Sequence, residues 1–128
     1  MAARLNERDF AIVIGISRYS HDGYFRDLRG SEADADAVFN WLTDPSGGAL
    51  PANNVIVLHS PTRSEAEHAF DQMFDRFIND PGRRLYIYGS GHGFSDGPDG
   101  AALLMADASR RRSSSICLLY TSPSPRDS

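Results

Sequence analysis

The chain has 128 residues, enough for one ordinary domain with one core, and its 41% hydrophobic and 23% charged content is the balance of a water-soluble globular fold. The net charge of −4 argues against a general nucleic-acid binder or an anionic-membrane binder. The single cysteine, Cys117, excludes an intramolecular disulfide framework.

The start, "MAARLNERDF", has no apolar core of the kind a secretory signal carries, so no signal peptide is expected. No run approaches the roughly 20 apolar residues of a membrane span. The default reading is a reduced, cytoplasmic protein with no membrane partner. All 13 basic residues are Arg, to which no mechanistic weight attaches.

Taken in order, the elements alternate between strand and helix. "FAIVIGI" (10–16) is a continuous β-branched apolar run, which suits a strand buried on both faces. A polar loop, "SRYSHDGYFRDLRG", follows; its Tyr19 and Tyr24 either line a cleft or pack locally. "SEADADAVFNWLTD" reads as a helix, with Ser31 as N-cap and Asp34 as a capping-box-like partner. Its expected apolar face is Ala33, Ala37, Val38, Trp41 and Leu42. After the breaker "PSGGALPANN", "NVIVLHS" (54–60) is a second strand.

"PTRSEAEHAFDQMFDRFIND" is a second helix, with Thr62 and Glu65 at capping-box spacing. Its stripe is Ala66, Ala69, Phe70, Met73, Phe74, Phe77 and Ile78, and "PGR" ends it. "RLYIYG" is the third strand, and "GAALLMAD" (100–107) is a shorter apolar segment. The order strand–helix–strand–helix–strand implies an α/β fold with a mostly parallel sheet. In such sheets ligands bind beyond the carboxyl ends of the strands. The third strand ends abruptly in "GSGHG", which puts His92 at that edge.

In this order and spacing, "FAIVIGISRY", "LRGSEADADAVFNWL", "NVIVL", "LYIYGSGHGFSDG" and "ALLMAD" resemble the N-terminal part of a caspase-like cysteine peptidase domain, the superfamily of caspases and metacaspases (peptidase C14 type). The match runs from about Phe10 to Asp107. Its most specific element is the apolar strand ending in Ser-Gly-His-Gly; the second is the pattern Leu28, Gly30, Asp34, Ala35. The resemblance implies a three-layer caspase-like (flavodoxin-like) sandwich and cysteine endopeptidase chemistry on a peptide or protein substrate, with no cofactor.

Such a site needs a thiolate, an imidazole that takes and returns its proton, and backbone donors for the oxyanion. The resemblance gives His92 the role of general base and acid, and the Gly93 N–H that of an oxyanion donor. Without the surrounding pattern, His92 would read as a turn histidine. Flanking glycines let a backbone approach a scissile carbonyl.

For substrate binding the resemblance points to Asp34, whose metacaspase-like counterpart helps hold a basic P1 residue. Here Ala33 replaces the usual Asn, and Ser31 stands where many members have Cys. Arg29 lies near the position at which caspases bind a P1 aspartate, but one place off in an ungapped match. Asp34 alternatively only complements the helix N-terminus electrostatically. A basic P1 is expected first and an acidic P1 second. "FSDGPDG" (94–100) reads as a turn, and His21, His59 and His68 have no metal-ligand spacing.

The caspase nucleophile is expected about 50 residues after the His, following a further core strand, typically as Asp-x-Cys. Cys117 is only 25 positions after His92, with no acid before it, no glycine after it and no core strand leading in. Residues 117–127 can moreover be encoded by a string resembling the transposase adapter of short-read library preparation. The alternative is a Ser/Pro-rich disordered tail. The expected organisation is a partial catalytic domain over 1–108, an unassigned stretch over 109–116 and an artefactual tail over 117–128. Fused effector or repeat domains are expected outside this stretch.

Two other classes compete. One is a catalytically inactive caspase-fold binding or scaffold module. The other is a flavodoxin-like phosphate binder, disfavoured because "GISRYSHDGY" contains no glycine-rich phosphate loop.

Overall fold

The computed structural model describes residues 7–19, 24–79, 82–95, 101–109 and 115–117, with backbone alone at 94, 95, 101 and 115–117. Three parallel strands form the main sheet: β1 (Asp9–Gly15), β2 (Val55–His59) and β3 (Arg84–Ser90), in the order β2-β1-β3. Helix α1 (Ser31–Thr43) connects β1 to β2, and α2 (Arg63–Asn79) connects β2 to β3. β1 is central and buried along its whole length, as its unbroken apolar run requires.

The two faces of β1 divide the core. Phe10, Ile12 and Ile14 pack with Ala66 and Met73 of α2. Ala11 and Val13 pack with Ala35 and Leu42 of α1. The period-2 alternation of a strand thus builds a helix–sheet–helix sandwich of three layers. At the amino edge of the sheet, the buried Asp9 carboxylate takes two hydrogen bonds from the Arg83 guanidinium, at 2.9 and 2.7 Å. These bonds raise the Arg83 pKa above its ordinary value.

A second, antiparallel sheet follows β3: β4 (Gly93–Ser95), β5 (Ala101–Leu104) and β6 (Ser115–Cys117), in the order β4-β5-β6. The segment read as a fourth apolar element is therefore β5, outside the parallel sheet. Its side chains still join the α2-side core through Leu103, Leu104 and Met105. The Ala106 N–H donates to the Pro61 carbonyl at 2.8 Å, tying the two sheets together. Phe94 and Ser95, read as part of a turn, belong to β4; residues 96–100 lie outside the described residues.

Several sequence expectations are corrected. Ser31 is not the N-cap of α1. It is the first helical residue, and Gly30, in the left-handed conformation (φ 88°), takes the cap position. Asp34 forms no capping box; its N–H donates to the Gly30 carbonyl. The free amide of Glu32 donates instead to Ser17 Oγ at 3.1 Å, a cap from the loop after β1.

The α1 face is also shifted. Ser31, Ala35 and Leu42 are buried with Val38 partly so, while Ala33 and Ala37 are exposed and Trp41 is 59% exposed. On α2 the Thr62–Glu65 capping box forms reciprocally, at 2.9 and 3.3 Å. Its stripe buries Ala66, Ala69 and Met73, but Phe74 and Ile78 lie at its exposed margin. Cys117 itself lies in β6, a three-residue edge strand that pairs with β5 outside the parallel sheet. Backbone pairing on an open edge needs no apolar side-chain signal.

Candidate active site

The strand order places a topological switch point between β1 and β3. The chain leaves β1 toward β2, then returns over β1 to β3, and the crevice opens at the carboxyl ends of these two strands. β1 and β3 are joined there by the Ile16 N–H donating to the Ser90 carbonyl at 2.8 Å. His92 follows immediately, between β3 and β4.

The His92 ring is held from three directions. Its Nε2 lies 2.8 Å from the Arg26 carbonyl oxygen. A carbonyl only accepts, so Nε2 carries the proton, and in the neutral ring Nδ1 keeps a lone pair. The Tyr19 ring packs against the imidazole at 4.7 Å between centroids, and Phe25 at 5.9 Å. Phe25 in turn carries the exposed Tyr24 edge-on at 4.9 Å.

The peptide of His92 is also fixed. Its N–H donates to the Tyr19 hydroxyl at 2.8 Å, and its carbonyl accepts from the Leu104 N–H at 2.8 Å. Gly91 is required by this arrangement, because a Cβ there would lie 2.6 Å from the Tyr19 oxygen. The glycine read as admitting a substrate backbone therefore makes room for Tyr19. Gly93 pairs with Leu103, one step beyond the hydrogen-bonded pair of His92 and Leu104. Antiparallel ladders alternate, so the Gly93 amide is turned away from β5, toward the open side of β4.

The loop that supplies Arg26 and Phe25 is anchored to the main sheet. Ser60 Oγ accepts from the Ser17 and Arg18 amides at 3.0 and 3.2 Å and donates to the Glu32 carboxylate. Arg18 Nη2 lies 3.5 Å from the same carboxylate. The Leu28 N–H donates to the Ser17 carbonyl at 2.8 Å. Beside this network, His59 Nε2 is 2.7 Å from Asp36 Oδ1.

Arg29 and Asp34 both lie exposed near this edge, on the segment running from the Arg26 contact into the first turn of α1. Among the described residues neither side chain pairs with His92. Ser31 is buried, and its Oγ accepts a 3.3 Å bond from Ser90 Oγ. Cys117 is far from His92 by register: β5 separates β6 from β4, and Cys117 pairs with Ala102 while Ser115 pairs with Leu104. Two ladder spacings alone amount to about 10 Å. His21 and the stretch 118–128 lie outside the described residues.

The part of this site that sequence reasoning missed is mostly backbone. Arg26 contributes a carbonyl, for which no side-chain signal exists. Tyr19 did carry a signal, a tyrosine in the loop after β1, but its partner Leu104 is 85 positions away.

The caspase domain family model matches residues 8–115. A probable protease of a Desulfuromonadales bacterium is 34% identical over a 103-residue alignment covering 69% of this chain and 12% of that protein. The chain thus spans about an eighth of the length of that curated relative. Among the described residues, no helix is long and apolar enough to cross a membrane. The match over residues 8–115, on a three-layer α/β fold with a histidine at the end of β3, makes this chain a member of the caspase domain family.

Proposed function

We propose that this chain carries the histidine half of a cysteine endopeptidase site, with His92 as general base and acid and the Gly93 N–H as an oxyanion donor. One observation carries the reading: His92 Nε2 is anchored on the Arg26 carbonyl, which leaves Nδ1 to accept a proton. In the reaction, a cysteine thiol gives its proton to Nδ1 while sulfur bonds the scissile carbonyl carbon. The displaced electron pair rests on the carbonyl oxygen, where the outward Gly93 amide stabilises it. The imidazolium then protonates the leaving amine, and water hydrolyses the thioester by the same route in reverse.

The register of β6 supports assigning the nucleophile to a cysteine other than Cys117, supplied by sequence downstream of this stretch. Residues 1–108 are then a partial catalytic domain, 109–116 remain unassigned, and the tail over 117–128 is foreign to it. The 128-residue chain alone has no peptidase activity on this reading. The substrate is a protein or peptide rather than nucleic acid, and the chemistry needs no cofactor. The parent works in the cytoplasm, with further effector or repeat domains. Asp34 binds a basic P1 residue, and Arg29 is the second candidate, for an acidic one.

The test is hydrolysis of fluorogenic peptides with Arg, Lys or Asp at P1 by the full-length parent protein. His92→Ala is expected to lower kcat about 10²–10⁴-fold. Asp34→Asn is expected to weaken cleavage after Arg and leave cleavage after Asp unchanged. Wild-type-like turnover by His92→Ala rejects the reading. A full-length parent that binds peptides without cleaving any is instead a caspase-fold scaffold module.

A further inference from the structure

The β4–β5 ladder is interrupted at one place. The register Gly93–Leu103 makes His92 and Leu104 the next facing pair. A hydrogen-bonded pair exchanges two N–H···O bonds. Here one is made, from the Leu104 N–H to the His92 carbonyl at 2.8 Å. The other is replaced: the His92 N–H donates to the Tyr19 hydroxyl at 2.8 Å, and that hydroxyl donates to the Leu104 carbonyl at 2.9 Å. The Tyr19 oxygen is inserted into the ladder and uses both its acceptor and its donor capacity.

Tyr19 is itself fixed. It is 1% exposed, its N–H donates to Asp27 Oδ1 at 2.7 Å, and its ring edges onto the imidazole. We propose that Tyr19 is a positioning residue: its hydroxyl wedges the His92–Leu104 pair apart and so fixes both the imidazole against the Arg26 carbonyl and the outward direction of the Gly93 amide. This deepens the peptidase reading and rests on it for its catalytic meaning. Without the hydroxyl, either the buried Leu104 carbonyl and the part-buried His92 N–H stay unpaired or the strands close and carry His92 with them.

The test is NMR of the ¹⁵N-labelled 128-residue chain, wild type against Tyr19→Phe. In the wild type, long-range ¹H–¹⁵N correlations are expected to show the His92 proton on Nε2, and the His92 amide is protected. In Tyr19→Phe the Nε2–H preference is lost, and the His92 amide exchanges about tenfold faster relative to β1 amides. A folded Tyr19→Phe with an unchanged His92 tautomer and unchanged exchange overturns the proposal, because a tyrosine that only fills the core would move stability alone. If that variant does not fold, the wild type decides. A slowly exchanging Tyr19 hydroxyl proton with a cross-peak to the His92 amide supports the wedge, and its absence overturns it. No substrate or nucleophile enters these readouts, so the proposal fails separately from the kinetic test of His92.

Discussion

Burial pushes the Tyr19 phenol up to about 12, opposed in part by the hydrogen bond from the His92 amide. The ordinary value is 10.0, so between the two the unfolded chain has lost this proton while the folded chain still holds it. Stability from this group is therefore full below pH 10 and falls as pH rises toward 12. The loss across that window is about 2–3 kcal/mol. Urea unfolding across the window is expected to show that decline in the wild type and a flatter profile in Tyr19→Phe. At this scale the sequence singled out His92 only through the whole pattern around "SGHG", without which it reads as a turn histidine. It hid what orients the ring, because a carbonyl can come from any residue and Tyr19 meets its partners only in three dimensions.

Among the elements, the two helix starts give contrasting tests. Thr62→Ala removes a reciprocal cap and is expected to lower stability by about 0.5–2 kcal/mol. Ser17→Ala removes the oxygen that receives the Glu32 amide and is expected to cost a similar amount, more than Ser31→Ala. Equal losses for Ser17→Ala and Ser31→Ala in thermal unfolding would contradict the assignment of the α1 cap. Gly15→Ala would bring a Cβ within 2.2 Å of the Ser31 carbonyl, where α1 crosses the end of β1. We expect a loss of about 1–3 kcal/mol or more.

α2 was legible because its cap and its apolar stripe are local features that agree. The extent of α1 was legible too, but its cap and buried face were not, because the cap comes from 15 residues upstream and the row of Ala33, Ala37 and Trp41 at helical spacing competes with the true face. The side of a helix that is buried depends on where the chain enters it, and the left-handed Gly30 sets that here.

For the whole molecule, alternation of strand and helix was enough to foresee the parallel sheet and the edge that holds His92. The antiparallel sheet was not foreseen, because its strands are three or four residues long and carry little periodicity. β3 has β1 on one side and, among the described residues, no strand on the other. An uncovered apolar edge is a template for pairing with a second chain. The 128-residue chain is expected to be marginally stable and to associate with rising concentration, which sedimentation velocity measures directly. A stable monomer that cleaves an Arg-containing peptide, with activity lost in Cys117→Ala, would contradict both this and the proposed function.

The most direct test of the central claim, that His92 serves a nucleophile outside this stretch, is to sequence the source DNA outward from codon 100. The account predicts that the native frame departs from the present one before Cys117. It then continues into an apolar strand ending in Asp-x-Cys, about 40–50 residues after His92. A native frame that instead runs through Cys117 and stops after Ser128 would contradict it, and would leave a caspase-fold module to be studied by what it binds.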